Sequence, residues 1–311
     1  MATSGVISFS QTAQSVITDA LYNINALAPG ESLENEDYEL ARRTLNRMLK
    51  NWQSSGIYIH TFTEAYLFIT PDTAGYTIGA SGTAHCTDSA VITELTAAAA
   101  SGATTLSVVS TGRTVGDFIG IELDDGTRQW TTIATIPGAT SVTITAALTD
   151  DAASGNTIFT YTTKSKWPLH IDSVRYMDYA ADTERVLTPL TRSEYYDLHD
   201  KEMENIPSSY FYSLGNRTGT FYIWPVNSNV KDYCRITYQR VLHDVVAAGD
   251  DIDLPAEWLE PIVLNLAVRL AHPHRTKASM ELRIDAKESL ENAKRMNNEP
   301  RYGVAYFDSR S

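Results

Sequence analysis

The feature that most constrains the fold is an abrupt change of composition between Pro71 and Thr163. This stretch has 22 threonines in 93 positions, and turn-forming residues divide it into short β-branched runs. Asp125-Gly126 stands between two such runs and predicts a tight hairpin turn. Because helical patterns lie on both sides of the stretch, we expect a small all-β domain, a sandwich or partial barrel, inserted into another domain.

The sequence before this insertion has the periodicity of two amphipathic helices. Apolar residues recur on one helical face over residues 12–27 and again over residues 34–55. The short connection between the two segments predicts an antiparallel helical hairpin. Residues 57–70 are aromatic and β-branched, which predicts a strand.

Strand patterns and then helical patterns follow the insertion. Thr191 and Glu194 have the spacing of a capping box in front of a helix over residues 192–203. The runs SYFYSL, GTFYIWPV and YCRITYQRVL predict an antiparallel meander. Helices are then expected over residues 255–270 and 277–296, and Pro261 must kink or split the first of them.

The expected fold class is therefore α+β, with a helical-hairpin core built from the N- and C-terminal segments and an antiparallel β-meander. The small all-β domain is inserted into that core. The expected domains are 1–70 (helical hairpin and first strand), 71–163 (inserted Thr-rich domain), 164–296 (meander and C-terminal helices) and 297–311 (extended terminus).

The charge balance limits the classes of partner. The chain has 25 Lys and Arg against 38 Asp and Glu, a formal net charge of −13, and the insertion alone has nine acidic and two basic residues. Proteins that grip DNA neutralise phosphates with Lys and Arg, so this balance argues against ordinary nucleic-acid binding. An acidic channel through which DNA slides without adhering remains compatible with it. No apolar run approaches the ~20 residues of a membrane helix, and the N-terminus lacks the pattern of a secretion signal.

The residues that usually carry chemistry are sparse. No hydrolase, nucleotide-binding or metalloprotease motif occurs, and the sequence predicts neither catalysis nor a cofactor nor a metal site. His272 and His274 flank a proline without another ligand at metal spacing, and we interpret them as helix-terminus residues. The carboxylates of GDDIDLP lack the glycine and distal glutamate of a calcium loop and are expected in a turn. Cys86 and Cys234 are too few for a disulfide scaffold and are expected to be reduced.

A basic stripe on the second helix is the first candidate interaction surface. It consists of Arg42, Arg43, Arg47 and Lys50, and Glu39 has the i,i+4 order for a surface pair with Arg43. Three interpretations remain open: a solvated face, a contact with an acidic neighbouring subunit or other acidic partner, or a contact with DNA.

The C-terminal aromatic residues are the second candidate. Tyr302, Tyr306 and Phe307 lie in a segment without helical or strand periodicity. Tyrosine and phenylalanine are frequent anchors of protein interfaces. The segment is thus either a docking tail or an incidental terminus.

Three segments resemble a known family. They are DALYNINALAPGESLENEDYELARRTLNRMLKNWQSSGIYI, RSEYYDLHDKEMENIPSSYFYSL followed by GTFYIWPV, and GDDIDLPAEWLEPIVLNLAVRLA. Together they resemble the podovirus head-to-tail adaptors, also called tail accessory or packaged-DNA stabilisation proteins. The resemblance covers residues 8–75 and 164–296 and fits a long form of the family with the β domain inserted.

The resemblance implies a structural, non-enzymatic protein of the virion, made in the host cytoplasm and placed at the head–tail junction. It implies a ring of about twelve copies beneath the portal protein, with closed cyclic symmetry. The ring would join the portal to the tail nozzle or tail tube and let the genomic DNA pass during ejection without sequence-specific binding. In this family the C-terminal tail reaches the portal, which makes Arg301, Tyr302, Tyr306 and Phe307 the expected docking residues.

Two other functions compete with this interpretation. The Thr-rich insertion is compatible with a minor tail or fibre-attachment protein that binds a tail fibre, a spike or a host glycan. The many carboxylates alone suggest a cell-wall hydrolase carried in the tail, but they form no recognisable catalytic spacing.

Overall fold

The computed structural model describes residues 9–28, 30–55, 61–79, 81–109 and 112–296. Its helices are α1 (Ala13–Asn23), α2 (Asn35–Ser54), α3 (Arg192–Tyr196), α4 (Leu259–Leu270) and α5 (Met280–Met296). Its strands are β1 (Phe62–Leu67), β2 (Gly75–Ile78), β3 (Cys86–Thr87), β4 (Val91–Glu94), β5 (Thr105–Ser107), β6 (Phe118–Glu122), β7 (Arg128–Gly138), β8 (Ser141–Ile144), β9 (Thr157–Tyr161), β10 (His170–Asp178), β11 (Thr183–Val186), β12 (Thr188–Pro189), β13 (Ser209–Leu214), β14 (Gly219–Trp224) and β15 (Tyr233–Gln239).

The chain divides into two units. The helical unit contains the described parts of Met1–Thr61 and Leu242–Ser311, and the strand unit is Phe62–Val241. Chain segments distant in sequence therefore build the helical unit together.

In the helical unit, each long helix buries one apolar stripe. The α1 residues Val16, Ile17 and Leu21 are nearly or completely buried, and so are Leu45 and Met48 of α2. Spacings of three and four residues place such side chains on one helical face, and that face packs into a shared core with α4. The Thr12 side chain caps α1 by accepting from the backbone N–H of Ser15.

Pro261 splits the C-terminal helical pattern near its start. A short 3-10 turn, Ala256–Trp258, leads directly into α4, and Pro261 lies in the first turn of α4. The missing N–H of proline has no helical partner to lose there, so α4 continues unbroken to Leu270.

The strand unit contains three sheets. A five-stranded sheet has the order β11-β10-β15-β1-β3, and a four-stranded sheet has the order β12-β13-β14-β2. The two share one apolar core, to which β15 contributes Ile236 and Tyr238 and β14 contributes Phe221 and Ile223. Alternation of buried and partly exposed residues along β14 and β15 places these side chains on one face of each sheet.

The third sheet has six strands, in the order β4-β9-β6-β7-β8-β5. Its outer strands approach each other where Leu95 and Val108 form a bridge, so the sheet curves around its own core. The predicted turn at Asp125-Gly126 joins β6 to β7, with Gly126 at a φ of 82°. Glycine adopts this left-handed conformation without steric cost, which explains the residue at this position.

The expected α+β fold with a helical-hairpin core is wrong. The described residues contain three sheets, and only 24% of these residues are helical. Moreover, α1 packs more against α4 than against α2. Amphipathic helices are conspicuous in a sequence because their pattern extends over many residues, whereas short strands give weak individual signals.

The expected three-stranded meander is also wrong in its third strand. β13 and β14 pair antiparallel as expected, but the other edge of β14 pairs with β2. β15 instead pairs with β1 and β10 in the five-stranded sheet. The predicted helix over residues 192–203 ends at Tyr196, although its capping box of Thr191 and Glu194 is confirmed.

Candidate subunit-interaction surfaces

The structure separates the basic stripe of α2 into two pairs of side chains. Arg42 and Lys50 point to the segment that begins at Leu242: Arg42 donates to the carbonyl oxygen of Val245 at 3.2 Å, and Lys50 donates to that of Leu242. Lys50 also forms an ion pair of 2.9 Å with Asp244. These two side chains hold the segment on α2 and are partly committed to the fold.

Arg43 and Arg47 form the exposed pair. Their Nε atoms donate to helix carbonyl oxygens, at 3.1 Å to Glu39 and 3.2 Å to Arg43 itself. Within the described part of the chain, neither makes an ion pair. The expected pair of Glu39 with Arg43 is wrong, because the carboxylate pairs with Arg42 at 2.6 Å, and that hydrogen bond lowers the pKa of Glu39. Two positive charges one turn apart therefore remain available on the surface of α2.

The second predicted surface, with Arg301, Tyr302, Tyr306 and Phe307, lies outside the described residues. The last described element before it is α5, which ends at Met296. Its role in docking therefore stays a prediction.

A groove in the helical unit was not predicted from the sequence. It has a volume of about 510 Å³ and lies between α1 and α4, where its lining includes Phe9, Asp19, Tyr22, Glu260, Val263 and Leu264. The only sequence signal was the presence of apolar residues on α4 beside the stripe that enters the core. That signal is weak because single exposed apolar residues are common on protein surfaces.

In the strand unit, an aromatic cluster joins the six-stranded sheet to β1 and β15. Phe68 follows β1 and lies 4.9 Å from Phe159 and 5.4 Å from Trp130, measured between ring centroids. The buried Arg128 guanidinium lies 4.2 Å from the Phe159 centroid and donates to the carbonyl oxygens of Ile69 (3.1 Å) and Val230. Burial lowers the pKa of Arg128 to about 9. This arrangement is structural, since the charge is used on backbone carbonyls inside the unit.

His85 lies in the same cluster and is held in its neutral form. Its ring stacks on Trp130 at 3.7 Å between centroids, and Nδ1 lies 2.7 Å from the Tyr161 hydroxyl. Burial, followed by the nearby charges of Lys164 and Arg128, lowers the pKa of His85 to about 3. The histidine therefore behaves as a packed aromatic ring at neutral pH.

A small polar pocket of about 280 Å³ opens beside this cluster. Its lining is rich in hydroxyl groups and includes Thr87, Ser89 and Thr160 together with Asp88 and Asp117. Asp88 already accepts from Ser165 and Tyr238, and Asp117 accepts from the backbone N–H and the hydroxyl of Thr114. Both carboxylates are therefore engaged within the fold.

The other candidate residues have structural partners. No group of three or more His, Cys, Asp or Glu suited to a metal occurs among the described residues. His274 lies 3.9 Å from Asp37, and Asp250 accepts from two backbone N–H groups in its turn, as a turn residue does. Cys86 and Cys234 are buried free thiols, and burial raises the pKa of both. Within the described ranges, no helix is both long and apolar enough to span a membrane.

Comparison with known proteins identifies the class. The model of the family described as SU10 adaptor protein matches residues 113–301. This match makes the chain a bacteriophage structural protein of the adaptor type, a component of the virion. Because the match extends over more than half of the chain, the chain belongs to the SU10 adaptor protein family.

The remaining comparisons add little. No curated protein matches the chain. Among solved structures, VP17, a capsid protein of bacteriophage P23-77, is 15% identical over 60% of this chain and 79% of that chain. The TM-score is 0.13, so this likeness carries no argument about fold or function.

Proposed function

We propose that this protein is the head-to-tail adaptor of a podovirus, a ring subunit beneath the portal protein. The observation that carries the proposal is the match to the adaptor family over residues 113–301. In this role the ring joins the portal to the tail nozzle or tail tube, and the genomic DNA passes through its channel during ejection. The role is structural, and the site of action is the head–tail junction of a virion assembled in the host cytoplasm.

The exposed pair on α2 supports a lateral contact between subunits. A ring requires a heterologous interface, in which two different surfaces of the same chain meet and the rotation closes, here after about twelve copies. Arg43 and Arg47 provide a positive surface on a chain with a net charge of −13. An acidic surface of the neighbouring copy is the natural complement of that pair.

The C-terminal residues 297–311 supply the contact with the portal. Arg301, Tyr302, Tyr306 and Phe307 combine one positive charge with three aromatic anchors. Docking of this segment on the portal would couple ring assembly to the presence of the portal.

Native mass spectrometry of the chain alone and with the portal of the same virus tests the proposal. We expect a monomer that becomes a ring only on the portal, and we expect deletion of residues 297–311 to abolish portal binding without unfolding the helical unit. A ring formed without the portal would show that the portal does not trigger assembly, and the proposed adaptor role would stand. Absence of any association with the portal would overturn the proposal.

The hydroxyl-lined pocket favours a second candidate, a tail or fibre-attachment role. Hydroxyl groups beside an aromatic ring, as in this lining, are suited to polar ligands such as the sugars of a host glycan, and a tail fibre or spike is the other candidate partner. A pull-down with the full chain and its Thr160→Val variant tests this role. If neither binds a tail protein or a host glycan, the second candidate has no support.

A further inference from the structure

The groove between α1 and α4 exposes apolar side chains that a monomer would normally cover. Tyr22, Val263 and Leu264 are only partly buried in its walls, and the Phe9 side chain at its edge is 67% exposed. Asp19, which accepts from the Gln11 amide at 3.0 Å, and Glu260 also line it, and among the described residues no lysine or arginine does. An apolar floor with an acidic margin fits a segment that combines aromatic and basic side chains.

Helix α5, the last described element before residues 297–311, contacts the turn that begins this groove. The Asn265 side chain in α4 donates to the carbonyl oxygen of Ala286 in α5 at 2.8 Å, and the 3-10 turn before α4 also contacts α5. The two helices are therefore antiparallel, and the end of α5 lies at the beginning of α4. Ala256 of that turn is itself part of the groove lining.

We propose that this groove is the docking site for the chain's own residues 297–311. Tyr302, Tyr306 and Phe307 supply the aromatic groups, and Arg301 supplies the charge that complements Asp19 and Glu260. Five residues, 297–301, separate the end of α5 from Tyr302, and an extended segment of that length spans about 17 Å. The groove lining begins at Ala256, in the turn that contacts α5, so the tail would enter the groove from that end.

This inference goes beyond the adaptor role, because it assigns a position to the tail before any partner is present. The same aromatic residues cannot occupy the groove and a portal pocket together. Portal binding would then have to displace the tail from its own subunit, which makes the groove a competitor that delays docking.

The test measures the distance between the tail and the groove in the free full-length chain. Spin labels are attached at Ser309→Cys in the tail and Asn23→Cys at the groove, and the native Cys86 and Cys234 are buried and stay unlabelled. Pulsed dipolar spectroscopy should give a short-distance population. Replacing Tyr302, Tyr306 and Phe307 together by serine should remove it.

A matched pair of groove variants tests the location. Phe9→Ala removes an aromatic ring at the groove, and Met280→Ala removes an equally exposed apolar side chain (73%) at the opposite end of α5. We expect the first to reduce the short-distance population several-fold and the second to leave it unchanged. Both side chains are exposed, so neither variant should unfold the chain.

Three results would overturn the inference. The distance distribution could be unchanged in the triple-serine variant, or the Phe9→Ala and Met280→Ala variants could behave alike. A short distance found only in mixtures of singly labelled chains would assign the groove to the tail of a second copy instead. None of these readouts involves the portal, so failure here is distinguishable from failure of the adaptor proposal.

Discussion

Arg128 uses its buried charge on backbone carbonyl oxygens. Its two terminal nitrogens donate to Ile69 and Val230, and its guanidinium lies over the ring of Phe159. A hydrogen bond from a charged donor contributes more to stability than one from a neutral donor. A buried carbonyl oxygen left without any donor destabilises the fold, because it has also lost its contact with water. The side chain therefore joins the six-stranded sheet to the chain around β1 and the loop before β15.

We expect Arg128→Ala to lower the free energy of unfolding of the strand unit by about 3–5 kcal/mol, because it leaves a cavity and two unpaired carbonyls. Chemical denaturation followed by tryptophan fluorescence measures the change. The control is Arg185→Ala on the exposed edge strand β11, which should change stability by less than about 0.5 kcal/mol. Equal effects of the two substitutions would contradict this structural role.

His85 should make stability depend on pH. Burial lowers the folded-state pKa of His85 to about 3, below the ordinary value of 6.5, so the unfolded chain binds a proton first as the pH falls. The free energy of unfolding should therefore fall between about pH 6.5 and 3, by up to ~1.4 kcal/mol per pH unit for one proton. Above pH 6.5 this contribution is fully present.

His85→Asn removes the titration and keeps a polar group opposite the Tyr161 hydroxyl. We expect denaturation curves at pH 6.5, 5.5 and 4.5 to show a shallower loss of stability than in the original chain. His170→Asn, at an exposed position in β10, is the matched control substitution. If the two asparagine variants have the same slope, His85 does not titrate as the structure indicates.

At the scale of the element, α2 has one face that packs into the fold and another face that is exposed to solvent. Asn46 donates to the carbonyl oxygen of Val245 and accepts from its N–H, both at 2.9 Å. Arg47, the next residue, is exposed, and within the described ranges its side chain bonds to the carbonyl oxygen of Arg43 in its own helix. Adjacent positions on one helix therefore differ: Asn46 is used in the fold, and Arg47 is available for the proposed contact between subunits.

We expect Asn46→Ala to destabilise the helical unit by about 1–3 kcal/mol, since it leaves the N–H of Val245 unpaired and removes one of the two donors, Asn46 and Arg42, to the Val245 carbonyl oxygen. Arg43→Glu with Arg47→Glu should change the melting temperature little and weaken ring formation at least tenfold, because it reverses the charge of the proposed contact. Thermal unfolding of both variants, and native mass spectrometry of each with the portal present, measure these outcomes. A double variant that still forms rings at the original concentration would exclude this face from the interface.

The sequence predicts elements better than it predicts their partners. The helical stripes, the Asp125-Gly126 turn and the capping box of Thr191 follow from local rules, and the structure confirms them. The sequence predicts that β15 pairs with β14, and this is wrong because β2, which is distant in sequence, occupies that edge of β14. Local patterns do not show which strand edges are free. The groove between α1 and α4 escaped prediction for the same reason, because it exists only where two distant helices meet.

On the scale of the whole molecule, charge is the property most relevant to a DNA channel. The net charge is −13, and residues 71–163 contribute nine acidic and two basic side chains. Non-specific DNA binding requires several Lys or Arg contacts with phosphates and typically gives dissociation constants of about 10⁻⁴–10⁻⁶ M. A protein through which DNA must slide should bind DNA with a higher dissociation constant than this.

We therefore expect no shift of duplex DNA by the free chain at micromolar concentration, even at about 50 mM salt, where electrostatic attraction is strongest. An electrophoretic mobility assay with titrated salt measures this, with the Arg43→Glu, Arg47→Glu double variant as the matched control. A salt-sensitive shift that the double variant abolishes would mean that the exposed pair of α2 contacts DNA rather than a neighbouring subunit. A shift that survives in the double variant would place the DNA contact elsewhere and would contradict a channel that DNA passes without adhering.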